Sequence, residues 1–220
     1  MTEAQQQALF AKVNHALRRT RDDDRPVVLM TCGLAGMSRI DLSVLFFPLT
    51  GPSADSGGRW SIAKGSGKST LAKTVVSRLP TFTRLSVDEI IHGQHGVYGV
   101  DYPADMALYQ SYMEEAGLIF DDLFATYLRD DKRDLILDRS FYAKEDRDDF
   151  RERVESLGGR LVMVWFRPTD KEVSWQRIVA RKSEDKTANN ALDISRNLFD
   201  TYWGGFENPA GEGEIVIDVV

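Results

Sequence analysis

Two glycine-bearing stretches carry the clearest chemistry in this 220-residue chain. Residues 27–36 read Val-Val-Leu-Met-Thr-Cys-Gly-Leu-Ala-Gly, an apolar strand pattern running into a glycine turn. Residues 65–70 read Gly-Ser-Gly-Lys-Ser-Thr, and a helical pattern follows. Joined without residues 37–65, they read Gly33-Leu34-Ala35-Gly36-Ser66-Gly67-Lys68-Ser69, which fits G-x-x-x-x-G-K-[ST] with no mismatch. In the chain as it stands, the position five before Gly67 is Ile62. A loop of this kind is suited to a triphosphate. Converging backbone N–H groups and the positive end of a helix dipole meet the negative charge, and glycines let the backbone come close with φ > 0. The expected nucleotide set is Gly33, Gly36, Ser66, Gly67, Lys68, Ser69 and Thr70. Lys68 reaches the β- and γ-phosphates of ATP, and the Ser69 hydroxyl sits on Mg²⁺.

The intervening residues 37–65 contain one short apolar run, Val44 to Phe47, then turn formers, and no sustained helical or strand period. A structureless stretch this long is unusual inside a compact domain. It is stranger between two halves of a loop whose geometry is short and fixed. One reading is a translated intron. Gly36-Met37-Ser38 is compatible with a GTATGT donor, and Lys64-Gly65 with an acceptor AG, so excision would rebuild Gly36 and restore the motif. The rival reading is a genuine surface insertion whose ends meet in space.

Further candidates sit where predicted strands end, because ligands of open α/β sheets bind beyond the carboxyl ends of the strands. Asp88 follows the predicted strand Phe82 to Val87 and is the expected catalytic base or hydroxyl-orienting carboxylate. Glu89 is its weaker alternative, and the structural rival for Asp88 is a helix N-cap. Asp138 ends the apolar run Asp134 to Asp138, where a Mg²⁺-water ligand is expected. Arg139 and Tyr142 are candidates for the acceptor pocket. Arg177 and Arg181, one helical turn apart, face the same side and can neutralise charge that shifts in a transition state. Lys182 adjoins them, and Arg196 is a further lid candidate. His92-x-x-His95 has no evident third ligand, so zinc is not expected.

The elements that must hold these groups alternate along the chain. A leader helix at residues 4–19 packs its apolar stripe on the domain, and a turn reaches the first strand at residue 26. Helices are expected from Lys68 to Leu79, along a stripe from Tyr109 to Tyr127 opened by Pro103, from Lys144 to Leu157, from Asp170 to Lys182 and from Asp193 to Trp203. Residues 92–102 read as a Gly/His/Tyr-rich loop and 183–191 as a polar break that suits a mobile lid. Strands at Arg160 to Phe166 and Glu214 to Val220 complete a parallel sheet covered on both faces. The expected organisation is a leader at 1–25 and one domain at 26–220.

A hydrophobic content of 42% is enough for one α/β domain with a sizeable core. The net charge of −6 argues against a broad nucleic-acid-binding face, though not against a local basic cleft. The single cysteine, Cys32, rules out a disulfide framework within the chain. No stretch reaches the length of a membrane span, and the N-terminal residues lack a signal core, so a cytoplasmic protein is expected.

With its loop spliced together, the chain resembles the P-loop kinase-like ATP-binding proteins, which include gluconate kinase, chloramphenicol phosphotransferase, zeta toxins and the kinase half of polynucleotide kinase. Residues 33–36 with 66–72, Leu-Ser-Val-Asp-Glu at 85–89, Leu-Ile-Leu-Asp-Arg-Ser-Phe at 135–141 and Arg-x-x-x-Arg at 177–181 carry the resemblance. It implies a three-layer α/β fold with a short helical lid, ATP and Mg²⁺ as cofactors, and transfer of a γ-phosphate to a hydroxyl. The acceptor would be a small molecule, or a nucleic acid only through a substrate end. The resemblance matches Asp88 to the carboxylate that faces the acceptor, and Arg177 and Arg181 to the lid arginines.

Overall fold

Val27–Cys32 forms a strand, β1, buried at all six positions. A strand with no polar face belongs in the middle of a sheet covered on both sides. The computed structural model, which describes residues 3–34, 67–181, 187 and 194–219, places it there. The other strands are β2 (Phe82–Leu85), β3 (Asp134–Asp138), β4 (Arg160–Pro168) and β5 (Ile215–Val219). Their order is β2-β3-β1-β4-β5, and every pairing is parallel. The helices are α1 (Glu3–Asn14), α2 (Lys68–Arg78), α3 (Val87–His95), α4 (Met106–Arg129), α5 (Lys144–Ser156), α6 (Lys171–Arg181) and α7 (Arg196–Gly205).

The period of two along β1 divides the core. Val28, Met30 and Cys32 enter one apolar cluster with residues of α3, α4 and α5. Val27 and Leu29 enter a second cluster with Leu9, Phe10 and Val13 of α1 and with Leu71, Ala72 and Val75 of α2. The result is three layers, helix on sheet on helix, as the alternation of elements predicts. A third cluster, Ile178, Ile194, Phe199 and Tyr202, joins α6 to α7, and Leu34 packs against it from the end of β1.

Several boundaries differ from expectation. The second strand stops at Leu85, because Ser86 adopts the extended N-cap conformation and α3 starts at Val87. Asp88 and Glu89 therefore lie in the first turn of a helix, and that helix takes in the start of the expected loop as far as His95. The long helix starts at Met106 and not at Pro103. The Asp105 carboxylate caps it by accepting from the amides of Ala107 and Leu108 at 2.8 and 3.1 Å. Its buried stripe ends in Phe124 and Leu128, not in Tyr127. The insert at 37–65, together with Gly36 and Ser66, lies outside the described residues, as does the polar break at 183–191 apart from Thr187.

Candidate functional site

The chain leaves β1 for the edge strand β2, returns to β3 beside β1, and then crosses to β4 on the other flank. The order reverses at β1, so a crevice opens at its carboxyl end between β3 and β4. Gly33 is the first residue past β1. Its φ is +148°, and a Cβ there would come within 2.9 Å of the Phe166 carbonyl, so the position excludes other side chains. The Gly33 N–H donates to the carbonyl of Ser140 at 3.0 Å, just past β3.

From the other side of the break, Lys68 opens α2. It is 5% exposed, and its Nζ donates to the Gly33 carbonyl at 2.9 Å. The two halves of the split motif are thus in direct contact across the crevice. Gly67 is the N-cap of α2, with φ 94° and no side-chain cap. A side-chain cap would occupy amides that α-helix geometry leaves without intrahelical acceptors. Here the first turn of α2, with Ser69 and Thr70 half-buried, presents its positive dipole end where the sheet crevice opens.

Asp138 closes β3 as a buried carboxylate. Its Oδ2 accepts from Arg84 Nε at 2.9 Å and Nη2 at 2.5 Å, and Arg84 Nη1 also donates to Glu89. The expected metal ligand is therefore half-engaged, and among the described residues Oδ1 has no partner. Sequence reasoning alone does not point to Arg84. The signal was an arginine between apolar positions of a predicted strand, with carboxylates soon after it.

Asp88, half-buried, is the second residue of α3, one turn beyond the end of β2; the cap of that helix is Ser86 and not Asp88. Arg177 lies on α6 and is half-buried; Arg181 is the last residue of that helix, and its side chain lies outside the described residues. Arg196 joins α7 to α6: Nη1 donates to Glu172 at 2.8 Å, Nε to Asp200 at 3.2 Å, and the guanidinium stacks on Trp175 and Phe199. These contacts occupy it as a strut between α6 and α7. Arg139 is 5% exposed. Its guanidinium is buried over the rings of Phe120, Phe141 and Phe150, where cation–π attraction replaces water. The Tyr142 hydroxyl donates to the Tyr202 carbonyl at 3.1 Å. Burial pushes that phenol up to about 12, so it remains a donor at neutral pH. Among the described residues no three His, Cys, Asp or Glu side chains are grouped as a metal cage, and no helix is long and apolar enough to cross a membrane.

The AAA domain family matches residues 63–209, beginning at the second half of the split loop. The fold is similar to that of a candidate kinase from Chloroflexus aurantiacus J-10-fl, with 15% identity, TM-score 0.58 and coverage of 88% of each chain. It is also similar to a chain of the Pnkp1/Rnl/Hen1 RNA repair complex, with 15% identity and TM-score 0.54, over 82% of this chain and 44% of that one. No curated protein sequence matches the chain. A parallel sheet with a glycine turn after its central strand, a buried lysine opening the next helix and a match over most of the chain lead to one assignment: the protein belongs to the AAA domain family and has a P-loop kinase-like nucleotide-binding fold.

Proposed function

We propose that the protein is an ATP- and Mg²⁺-dependent phosphotransferase that moves a γ-phosphate to a hydroxyl on a small molecule or on a nucleic-acid end. The observation that carries this reading is the hydrogen bond from Lys68 Nζ to the Gly33 carbonyl, which brings both fragments of the motif to one anion-binding position. When ATP binds, Lys68 exchanges that carbonyl for phosphate oxygens, and the amides at the start of α2, from Gly67 to Thr70, donate to them. Oxygen donors suit Mg²⁺, which is commonly held by one or two protein groups plus substrate phosphates. The Ser69 hydroxyl and Asp138 Oδ1 fit that pattern, and the ion supplies neutralisation of phosphate charge. Asp88 orients the acceptor hydroxyl and takes its proton, and Arg177 and Arg181 close over the transferring group.

The family match starts at residue 63, which favours a second element of this reading. Residues 37–65 are foreign to the loop, and the form without them is the tighter nucleotide binder. ATP titration of the full chain against the form lacking 37–65 tests this, and equal affinity refutes it. In the shortened form, Lys68→Ala is expected to abolish ATP binding or turnover. Unchanged turnover removes the phosphotransferase assignment.

A further inference from the structure

A fully buried arginine reaches the phosphate site through a strained turn. Arg147 of α5 is 0% exposed. Its Nε and Nη2 each donate to the Glu212 carboxylate at 2.8 Å, and its Nη1 donates to the Phe141 carbonyl at 3.1 Å. The backbone carbonyl of Glu212 accepts in turn from Arg151 Nη2 at 2.9 Å, which ties down the loop before β5. Phe141 has φ 47°, in the left-handed region that bulky side chains avoid. Its carbonyl also accepts from the Cys32 thiol, at 3.5 Å, from the end of β1. One residue earlier, the Ser140 carbonyl holds the Gly33 N–H, and the Gly33 carbonyl holds Lys68.

Two physical points distinguish this series of contacts from ordinary packing. A buried ion pair is a poor source of stability, since apolar side chains of similar volume often do as well or better. What such a pair supplies here is direction: a planar fork held by a carboxylate at one end and aimed at a single carbonyl at the other. A strained backbone residue, in turn, persists only where its surroundings over-determine it. Arg147 and Cys32 are the groups that hold the Phe141 carbonyl.

We propose that Arg147, oriented by Glu212, is a positioning residue of the phosphate site. It fixes the turn at Phe141, which sets the Ser140 carbonyl, which aims the Gly33 peptide and through it the site of Lys68. The effect on ATP rests on the phosphotransferase reading; the effect on Gly33 does not.

The test uses the full chain with Arg147→Lys and Glu212→Gln, followed by amide hydrogen exchange and ¹⁵N-resolved spectra. The expected result is exchange at the Gly33 amide faster by at least about tenfold, with a shifted resonance, while Leu29 in β1 and Val162 in β4 keep wild-type exchange. In the same variants KM for ATP rises about tenfold, with kcat within about twofold. Glu212→Gln keeps the arginine but removes the carboxylate charge that aims it at the Phe141 carbonyl, so it carries the test if Arg147→Lys fails to fold. Unchanged Gly33 exchange, or equal acceleration at Gly33, Leu29 and Val162, overturns the proposal. A wild-type chain without ATP turnover refutes the phosphotransferase reading, and Gly33 exchange still decides this one.

Discussion

Asp134 and Asp138 stand at the two ends of the same strand, both are buried, and each faces an arginine. At the amino end, Asp134 Oδ1 accepts from Arg19 Nε at 3.0 Å and from the Val27 N–H at 2.8 Å. Arg19 also donates to the Lys132 carbonyl at 2.7 Å, so this carboxylate fastens the segment after α1 to the start of β1 and β3. At the carboxyl end, Asp138 meets Arg84, which also reaches Glu89 at the start of α3. An aspartate beside an apolar run is the same sequence signal at both ends. The direction of the parallel strands separates the roles: ligands meet the carboxyl ends, and the amino ends are left to architecture.

The largest expected effect breaks or confirms that division. Asp138→Asn should lower phosphate transfer by on the order of 10³-fold, the scale of losing charge stabilisation at a metal-assisted centre. Asp134→Asn should leave transfer within about twofold while lowering the unfolding free energy. Rates and denaturant midpoints measured on both variants decide it, and equal losses of transfer would erase the distinction. Next in size is the contrast between the partners. The Arg84 side chain is 7% exposed and that of Arg19 is 28% exposed. Arg84→Gln leaves a buried charge unpaired and should cost about 3 kcal/mol. Arg19→Gln removes a partly exposed partner whose place water can take, and Asp134 keeps the Val27 N–H, so the cost should be about 1 kcal/mol. In a chain of this size each kcal/mol moves Tm by roughly 2–4 °C, which calorimetry resolves.

A smaller effect concerns a third buried pair. Arg147 holds the Glu212 carboxyl below its usual value of 4.5. A depressed value in the folded state means a stabilising contribution that is present above pH 4.5 and lost as the pH falls through the folded value. Urea midpoints should therefore decline below pH 4.5, and Glu212→Gln should show a shallower decline than wild type. The smallest effect concerns Cys32, whose thiol burial pushes up to about 12. Iodoacetamide at pH 8 should leave it unmodified in the native protein and label it fully in urea; mass spectrometry reads the difference.

What was legible in the chain follows from how local each signal is. The phosphate loop could be recognised despite its interruption because each half carries its own strand or helix context, and the contact of Lys68 with Gly33 agrees with joining them. Strands β1, β3 and β4 could be read from apolar runs. Asp88 was placed one element too early, because Ser86-Val87-Asp88-Glu89 serves equally as a strand end or a helix start, and only pairing of β2 with β3 as far as Leu85 separates the two. Arg139 looked like a pocket residue because a cation after a strand usually meets solvent; the aromatic rings that receive it come from α4 and α5. Arg84 with Asp138, and Arg147 with Glu212, are 54 and 65 positions apart. No sequence period links groups so distant.

The sequence by itself determined the class of fold, the split glycine-lysine motif of the P-loop kinase-like family and the alternation of elements that sets a parallel sheet between helices. These rest on side-chain period, glycine freedom and helix termini, all of which act within a few residues. Tertiary structure alone decided that Gly33 and Lys68 meet, that Asp134 pairs with Arg19 and Asp138 with Arg84, and that Arg147 donates to the Phe141 carbonyl. Those outcomes depend on strand order and on which charges are buried together, and burial belongs to the folded chain as a whole.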